Sequence, residues 1–261
     1  MKLMEFAFIP QEKDSTGRFE RHSWTKKLAD MAITESWGQD NDYLNKYCVI
    51  NFEIAYEQNL ILENDNDEFA VWRIGHLTTS DGLPIYALFE KNSMEGKQPY
   101  YLKTFVRGSK IFFSKRDGTK ISVDPTPEEP NYEIPKYDNK KIIQYNWDHY
   151  LSDRETRIKE ILKINNERIT YVSIFGAAEL SHRLWRQCAT PQYHNGRFQW
   201  LLPLYITQAN YSARPDLVAT LDEDGDNYLL RTLLPPEWAY PQARAVAVNT
   251  AQFRSWASSC S

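Results

Sequence analysis

Arg197 and Gln199 alternate with Phe198, Trp200 and Leu202, Arg231 stands among Leu229, Leu230 and Leu233, and Arg244 lies between alanines close to Tyr240. A cation inside an apolar element is costly unless it is paired or holds an anion. Guanidinium forks suit phosphate or carboxylate, and tyrosine faces suit bases. The stretch from Gln192 to Ala247 is therefore the chain's richest candidate site. Read as a ligand site, Arg197, Arg231 and Arg244 contact phosphate together with Lys91. Tyr86, Tyr193 and Tyr240 supply stacking faces, while Gln192 and Gln199 read polar edges. Asn92 beside Lys91, and Arg183 and Arg186 on a helix, complete the set. Taken singly, each is more often structural: Glu179 can pair with Arg183 across one turn, for example.

Other motifs carry less. Lys115-Arg116-Asp117-Gly118 matches the K-x-D-G pattern around the nucleophilic lysine of covalent nucleotidyltransferases. Such a lysine needs a buried pocket that lowers its pKa. Here Ser114 and Thr119 flank it, no later E-G or K-x-K element follows, and Asp-Gly reads as a turn apex. His76-Leu77-Thr78 is one half of a two-histidine phosphoesterase pair, but no second H-x-T or H-x-S exists. Asp148-His149 with Asp153 and Glu155 does not place three metal ligands on one face, and Ser152 is better explained as a helix cap. The acidic run Glu63 to Glu68 lacks the central glycine of a calcium loop. There is no G-x-G-x-x-G, Walker A, H-E-x-x-H or G-x-S-x-G. No metal and no particular cofactor is implied.

The elements that must position these residues belong to a chain of 261 residues, 25% charged and 42% hydrophobic, the balance of a globular protein with a real core. A net charge of −4 argues against a broad basic face for duplex binding, though not against a local groove. Tyrosine leads the aromatics, 16 against 12 Phe and 8 Trp, so some rings are available for a stacking surface. Cys48, Cys188 and Cys260 form no CxxC pair and fit free thiols in a reducing cytoplasm. No apolar run approaches a membrane span, and the start MKLMEFAFIPQEK is too short in apolar residues for an export signal. The expected location is cytoplasmic. The Asn210-Tyr211-Ser212 sequon is then a chance match.

Along the chain, Phe6 to Gln11 reads as a short strand or an anchored arm ended by Pro10, and helical spacing predicts helices over 20–36 and 42–63. Hairpins follow at 69–77 with 83–89, around Ser80-Asp81-Gly82, then short strands at 101–106, 110–114 and 120–123. Prolines 125, 127, 130 and 135 mark 124–141 as an excursion within one domain 1–261, or as a boundary between 1–123 and 142–261. Helices are predicted at 153–166 and 171–188, the second with Cys188 and Trp185 on its apolar stripe. After the His194-Asn195-Gly196 turn, 197–207 alternates as a strand, and 217–221 pairs with 228–233 around Asp224-Gly225. A last helix carries 242–248, with Pro241 in its first turn. Helices followed by antiparallel hairpins predict an α+β fold, helices packed on antiparallel sheet.

Phe6-Ala7-Phe8-Ile9-Pro10, Leu77-Thr78-Thr79-Ser80-Asp81-Gly82, Ile85 to Asn92, Asn146-Trp147-Asp148-His149, Leu201-Leu202-Pro203-Leu204 with Ile206-Thr207, Asp216-Leu217, and Ala239 to Arg244 form a set of blocks. Together they resemble a bacterial family of domains of unknown function. The chain departs from that pattern at Gly75-His76, where the family carries a Thr-Gly pair. Similar domains are joined to cold-shock or RNA-associated helix-turn-helix modules, which implies RNA or nucleotide handling by association. The expectation is an RNA- or nucleotide-binding domain. One alternative is an enzyme acting on phosphodiesters or nucleotides in RNA repair or defence, with Glu90, Asp148 and His149 as acid and base. The other is a protein-interaction scaffold. Oligomeric state is not legible.

Overall fold

Phe69-Ala70-Val71-Trp72 opens strand β3 (Phe69–Thr78) as an unbroken apolar run because both faces of that strand are covered. The computed structural model describes residues 1–13, 15–20, 22–64, 66, 68–94, 96–115, 118–124, 126–147, 155–184, 189–207, 213–246 and 253–257, with only the backbone at 155–157. The chain divides into two compact units, Met1–Tyr132 and Glu133–Ser261. Both mix helices with mostly antiparallel sheet, so the fold is α+β.

In the first unit, α1 (Leu3–Phe6), β1 (Ala7–Phe8), α2 (Lys26–Met31), α3 (Asp42–Glu57) and β2 (Leu62–Glu63) precede β3. β4 (Pro84–Lys91), β5 (Tyr100–Arg107), β6 (Ile111–Ser114) and β7 (Lys120–Val123) follow. The sheet runs β1-β5-β4-β3-β2, with β1 parallel to β5 and the other neighbours antiparallel. Period-two alternation sends Phe69, Val71, Tyr86 and Leu88 to one face, where the β6–β7 hairpin lays Phe113 on Phe69 at 4.5 Å between centroids. Trp72 and Phe89 point the other way and meet Phe52 of α3 edge-on at 5.2 and 6.4 Å.

Between the pairs Arg73↔Tyr86 and Thr78↔Pro84 the ladder breaks, and 74–77 bulges against Ile85. The Tyr47 hydroxyl takes over the backbone groups released there, accepting from His76 N–H (3.0 Å) and donating to the Ile74 carbonyl (3.4 Å). Gly75 in the bulge has φ +50°, and a Cβ would lie 2.2 Å from Asn51 Oδ1. Close approach to α3 thus fixes glycine at this position.

Two predicted helices end early. The one expected over 20–36 contracts to a 3-10 turn and α2, because the chain turns extended at Ala32 and Ile33 N–H donates to the Thr78 carbonyl at 2.8 Å. The one expected to reach 63 stops at Glu57, where Asn59 turns left-handed and Leu62–Glu63 pairs with β3.

The second unit has β8 (Ile142–Gln144), α4 (Glu155–Leu162), α5 (Glu167–Arg183), β9 (Thr190–His194), β10 (Arg197–Leu204), β11 (Leu217–Asp224), β12 (Asn227–Leu234) and α6 (Pro236–Val246). Its sheet runs β8-β12-β11-β10-β9, antiparallel except where β8 joins β12. Trp200, Leu202, Leu204, Leu217, Ala219, Leu221, Tyr228 and Leu230 form one face and pack under Ile158 and Leu162 of α4 and Ile174, Ala177 and Ala178 of α5. Leu201 and Val218 alternate to the other face, also buried, and α6 packs there against β9, β10 and β11. Asn166 caps α5 by accepting from Ile169 N–H at 3.1 Å, worth about 1 kcal/mol. Asn195 and Gly196, both at positive φ, make the two-residue turn of β9–β10.

The strand expected to reach 207 ends at Leu204, where Asp216 accepts from Ile206 N–H, Thr207 N–H and the Thr207 hydroxyl at 2.7, 2.9 and 2.6 Å. The last helix starts at Pro236, so Pro241 sits inside it and not in its first turn. α4 falls within the predicted helix at 153–166, and α5 starts before the predicted 171. Ser152, Trp185, Arg186, Cys188 and Cys260 lie outside the described residues. Among the described residues no helix is long and apolar enough to cross a membrane.

Candidate functional site

Buried Asp222 of β11, only 2% exposed, organises the cations that stood out in the sequence. Strand register places Gln199 beside it on β10, because Trp200 pairs with Leu221, and Gln199 in turn pairs with Gln192 on β9. The amides form a directed chain: Gln192 Nε2 donates to Gln199 Oε1 at 2.7 Å, and Gln199 Nε2 donates to Asp222 Oδ1 at 2.5 Å. Arg197, two residues before Gln199 and so on the same face, donates from Nη2 to Asp222 Oδ2 at 2.7 Å. Arg231 reaches the same oxygen from Nε at 2.7 Å.

A break in the ladder brings Arg231 there. Thr220 pairs with Thr232 and Leu221 with Leu230, so Arg231 is the unmatched residue of a bulge on β12. An extra residue of this kind re-aims its side chain. Without it, strict alternation from Leu230 to Leu233 would not hold both leucines in the same core cluster.

A buried carboxylate needs compensation, and three donors supply it. One anion between two guanidiniums leaves a net positive charge. The arginine side chains remain 58% and 51% exposed. Each uses one nitrogen on Asp222, and among the described residues no acceptor holds the other fork nitrogens. The carboxylate holds both heads at one place on the surface.

The other predicted residues are placed differently. Gln192 and Gln199 are buried and orient Asp222; they do not present edges to a ligand. Tyr193 packs edge-on to Phe198 at 5.4 Å, and alternation puts both opposite Gln192 and Arg197. Tyr240 and Arg244 are buried on α6, with Tyr240 edge-on to Phe253 at 5.8 Å. Arg183 is exposed on the last turn of α5, and Glu179 accepts from the Tyr145 hydroxyl at 3.1 Å. In the first unit, Tyr86 is buried in the core, whereas Lys91 and Asn92 line a cavity of about 370 Å³. Neither Tyr86 nor Tyr240 offers an open face for stacking.

The weaker motifs resolve into structure. Lys115 pairs with Glu68 at 2.6 Å and its backbone closes the turn with Thr119; Arg116 and Asp117 lie outside the described residues. His76 sits at the bulge with Nδ1 3.6 Å from Glu129 and its ring edge-on to Tyr132. Asn64 Oδ1 accepts from Phe69 N–H at 2.9 Å in the acidic turn. Glu90 accepts from the Tyr101 hydroxyl and pairs with Lys103 at 3.0 Å. Asp148, His149, Asp153 and the Asn210 sequon lie outside the described residues, as does the Glu155 side chain. Among the described residues no three His, Cys, Asp or Glu side chains group as metal ligands.

Asp222 was missed by a reading that followed cations. The available signal was its position, an acid ending the apolar run Leu217-Val218-Ala219-Thr220-Leu221, on the Thr220 side of the hairpin's alternation. No curated protein and no solved structure matches the chain. The family model described as a domain of unknown function (DUF3825) matches residues 28–253, across both units, and the chain belongs to that family.

Proposed function

We propose that the second unit binds RNA or a nucleotide through the Arg197–Asp222–Arg231 cluster. The observation that carries this reading is the sharing of one buried carboxylate oxygen by two half-exposed guanidiniums. Asp222 sets the position of both heads and cancels only one of their charges. A phosphate oxygen arriving between them meets preoriented donors, the arrangement for which arginine is better suited than lysine. The acidic balance of the whole chain favours a local contact of this kind over a broad duplex-binding face.

The test must not strand a buried carboxylate. Replacing both arginines alone would leave Asp222 with a single amide donor, so the informative variant joins Arg197→Gln and Arg231→Gln to Asp222→Asn. Binding of a labelled single-stranded RNA is measured across a salt series. The variant should lose about tenfold or more in affinity, and its log–log salt slope should fall by roughly two. Unchanged affinity and slope in a folded variant would remove the reading.

A further inference from the structure

We propose that the cavity beside the β4–β5 connection in the first unit is a binding site for a ribonucleoside 5′-monophosphate, a second site that does not depend on the arginine cluster. Its volume, about 370 Å³, lies within the range of small-molecule pockets. Three chemically distinct elements line it. Lys91 and Lys97 bring two exposed ammonium groups, and neither has an acid partner among the described residues. Glu63 of β2 brings a carboxylate, of which Oε2 accepts from the buried Tyr100 hydroxyl at 2.9 Å. Tyr56 of α3 brings a half-buried ring, held by Phe6 edge-on at 6.5 Å and by Phe52 at 6.3 Å.

The combination is selective. Two ammonium groups match the near-dianion of a phosphomonoester. A carboxylate repels that phosphate but accepts from neutral hydroxyls, as acidic residues do with ribose elsewhere. The Tyr100 bond fixes Glu63 and leaves Oε1 as the acceptor. The Tyr56 ring is the apolar surface on which a base lies. Backbone closure supports the rim: Asn92 N–H donates to the Pro99 carbonyl at 2.8 Å, and the Asn92 side chain accepts from Met94 N–H at 3.1 Å. A ligand that satisfies all three elements carries a planar ring, vicinal hydroxyls and a terminal phosphate.

Calorimetric titration of the full chain with AMP, 2′-deoxy-AMP, ribose 5-phosphate and inorganic phosphate tests the assignment. AMP should saturate the protein below about 1 mM, and Lys91→Ala with Lys97→Ala should weaken it by about tenfold. Glu63→Gln, which can still accept from Tyr100, should erase the preference for AMP over 2′-deoxy-AMP. The arginine-cluster variant described above should bind AMP within about twofold of the parent, so loss of RNA binding and loss of AMP binding are separable. Circular dichroism establishes that each variant is folded. Absence of saturable AMP binding up to about 5 mM overturns the proposal. So does AMP binding that persists when the lysine substitutions are combined with those of the arginine cluster, or phosphate binding as tight as AMP.

Discussion

Asp222 illustrates how one buried side chain joins stability to the placement of two surface cations. Breaking a fully buried ion pair strands a charge and costs about 3–5 kcal/mol. Here Arg197 and Arg231 are more than half exposed, so water takes them back when the acid is removed. The remaining penalty is the Gln199 amide left without its acceptor. Asp222→Ala should therefore cost only about 2 kcal/mol in urea unfolding. A cost above roughly 4 kcal/mol would mean that both arginines behave as buried groups. Cys48 gives a second residue-scale expectation: complete burial pushes its thiol well above the ordinary range, so no thiolate is present at neutral pH. Mass mapping after brief treatment with a thiol reagent should find Cys48 unmodified in the folded chain and modified in urea; rapid native labelling would contradict this. At this scale the sequence exposed the costly cations but not what balances them. An acid among acids, in Asp222-Glu223-Asp224, looks like a solvated turn until strand pairing turns one of the three inward.

Elements were legible where local chemistry sets their limits. Gly82 and Gly225 supply positive φ at turns, so the two hairpins they close were read from the chain alone, whereas Asn195-Gly196 was read as a turn without the strand β9 that leads into it. Boundaries set by distant contacts were not legible: α2 ends because Ile33 is drawn to Thr78, and the bulge in β3 exists because Tyr47 and Asn51 of another element receive it. The same bulge makes a sharp prediction. An alanine at position 75 must hold φ near +50° and place its Cβ inside the buried Asn51 amide. Gly75→Ala should thus destabilise the first unit by roughly 3 kcal/mol. Tyr47→Phe keeps the ring but leaves His76 N–H and the Ile74 carbonyl without their hydroxyl partner; about 1–3 kcal/mol is expected. Denaturant curves measure both, and a neutral Gly75→Ala would show that the bulge can relax away from α3.

At the scale of the whole molecule, the proline-rich stretch that read as a linker or excursion is two docked ends around a short joint. Its first part belongs to the first unit: Arg73 pairs with Glu129 at 2.5 Å, and Gln58 exchanges two bonds with the Asn131 backbone at 3.0 and 3.2 Å. Its last part belongs to the second unit, where Tyr137 is buried, stacks on Tyr228 at 4.9 Å and meets His182 at 2.6 Å. Tyrosines and asparagines among prolines gave no sign of this, because what anchors them lies far along the chain. Burial also pushes the Tyr228 hydroxyl up to about 12, with Glu223 and Asp138 adding to the rise against the Asp138 N–H bond. For an acid whose folded pKa exceeds its unfolded value of about 10, the neutral form stabilises the fold. That contribution is intact below pH of about 10 and is lost as pH rises towards 12. Melting temperature followed across that window should fall more steeply in the parent than in Tyr228→Phe; equal slopes would remove the linkage. The joint itself is 133–136, where Glu133, Ile134 and Lys136 are exposed. An insertion there displaces no buried group, whereas one beside Tyr137 pulls its ring from Tyr228 and His182. A Gly-Ser pair placed between Glu133 and Ile134 should leave the melting midpoint within about 1 °C, while the same pair between Tyr137 and Asp138 should lower it by roughly 5 °C or more. Equal losses at both places would mean that 133–136 is as fixed as the ends it connects, and the division of the chain would then have to be drawn elsewhere.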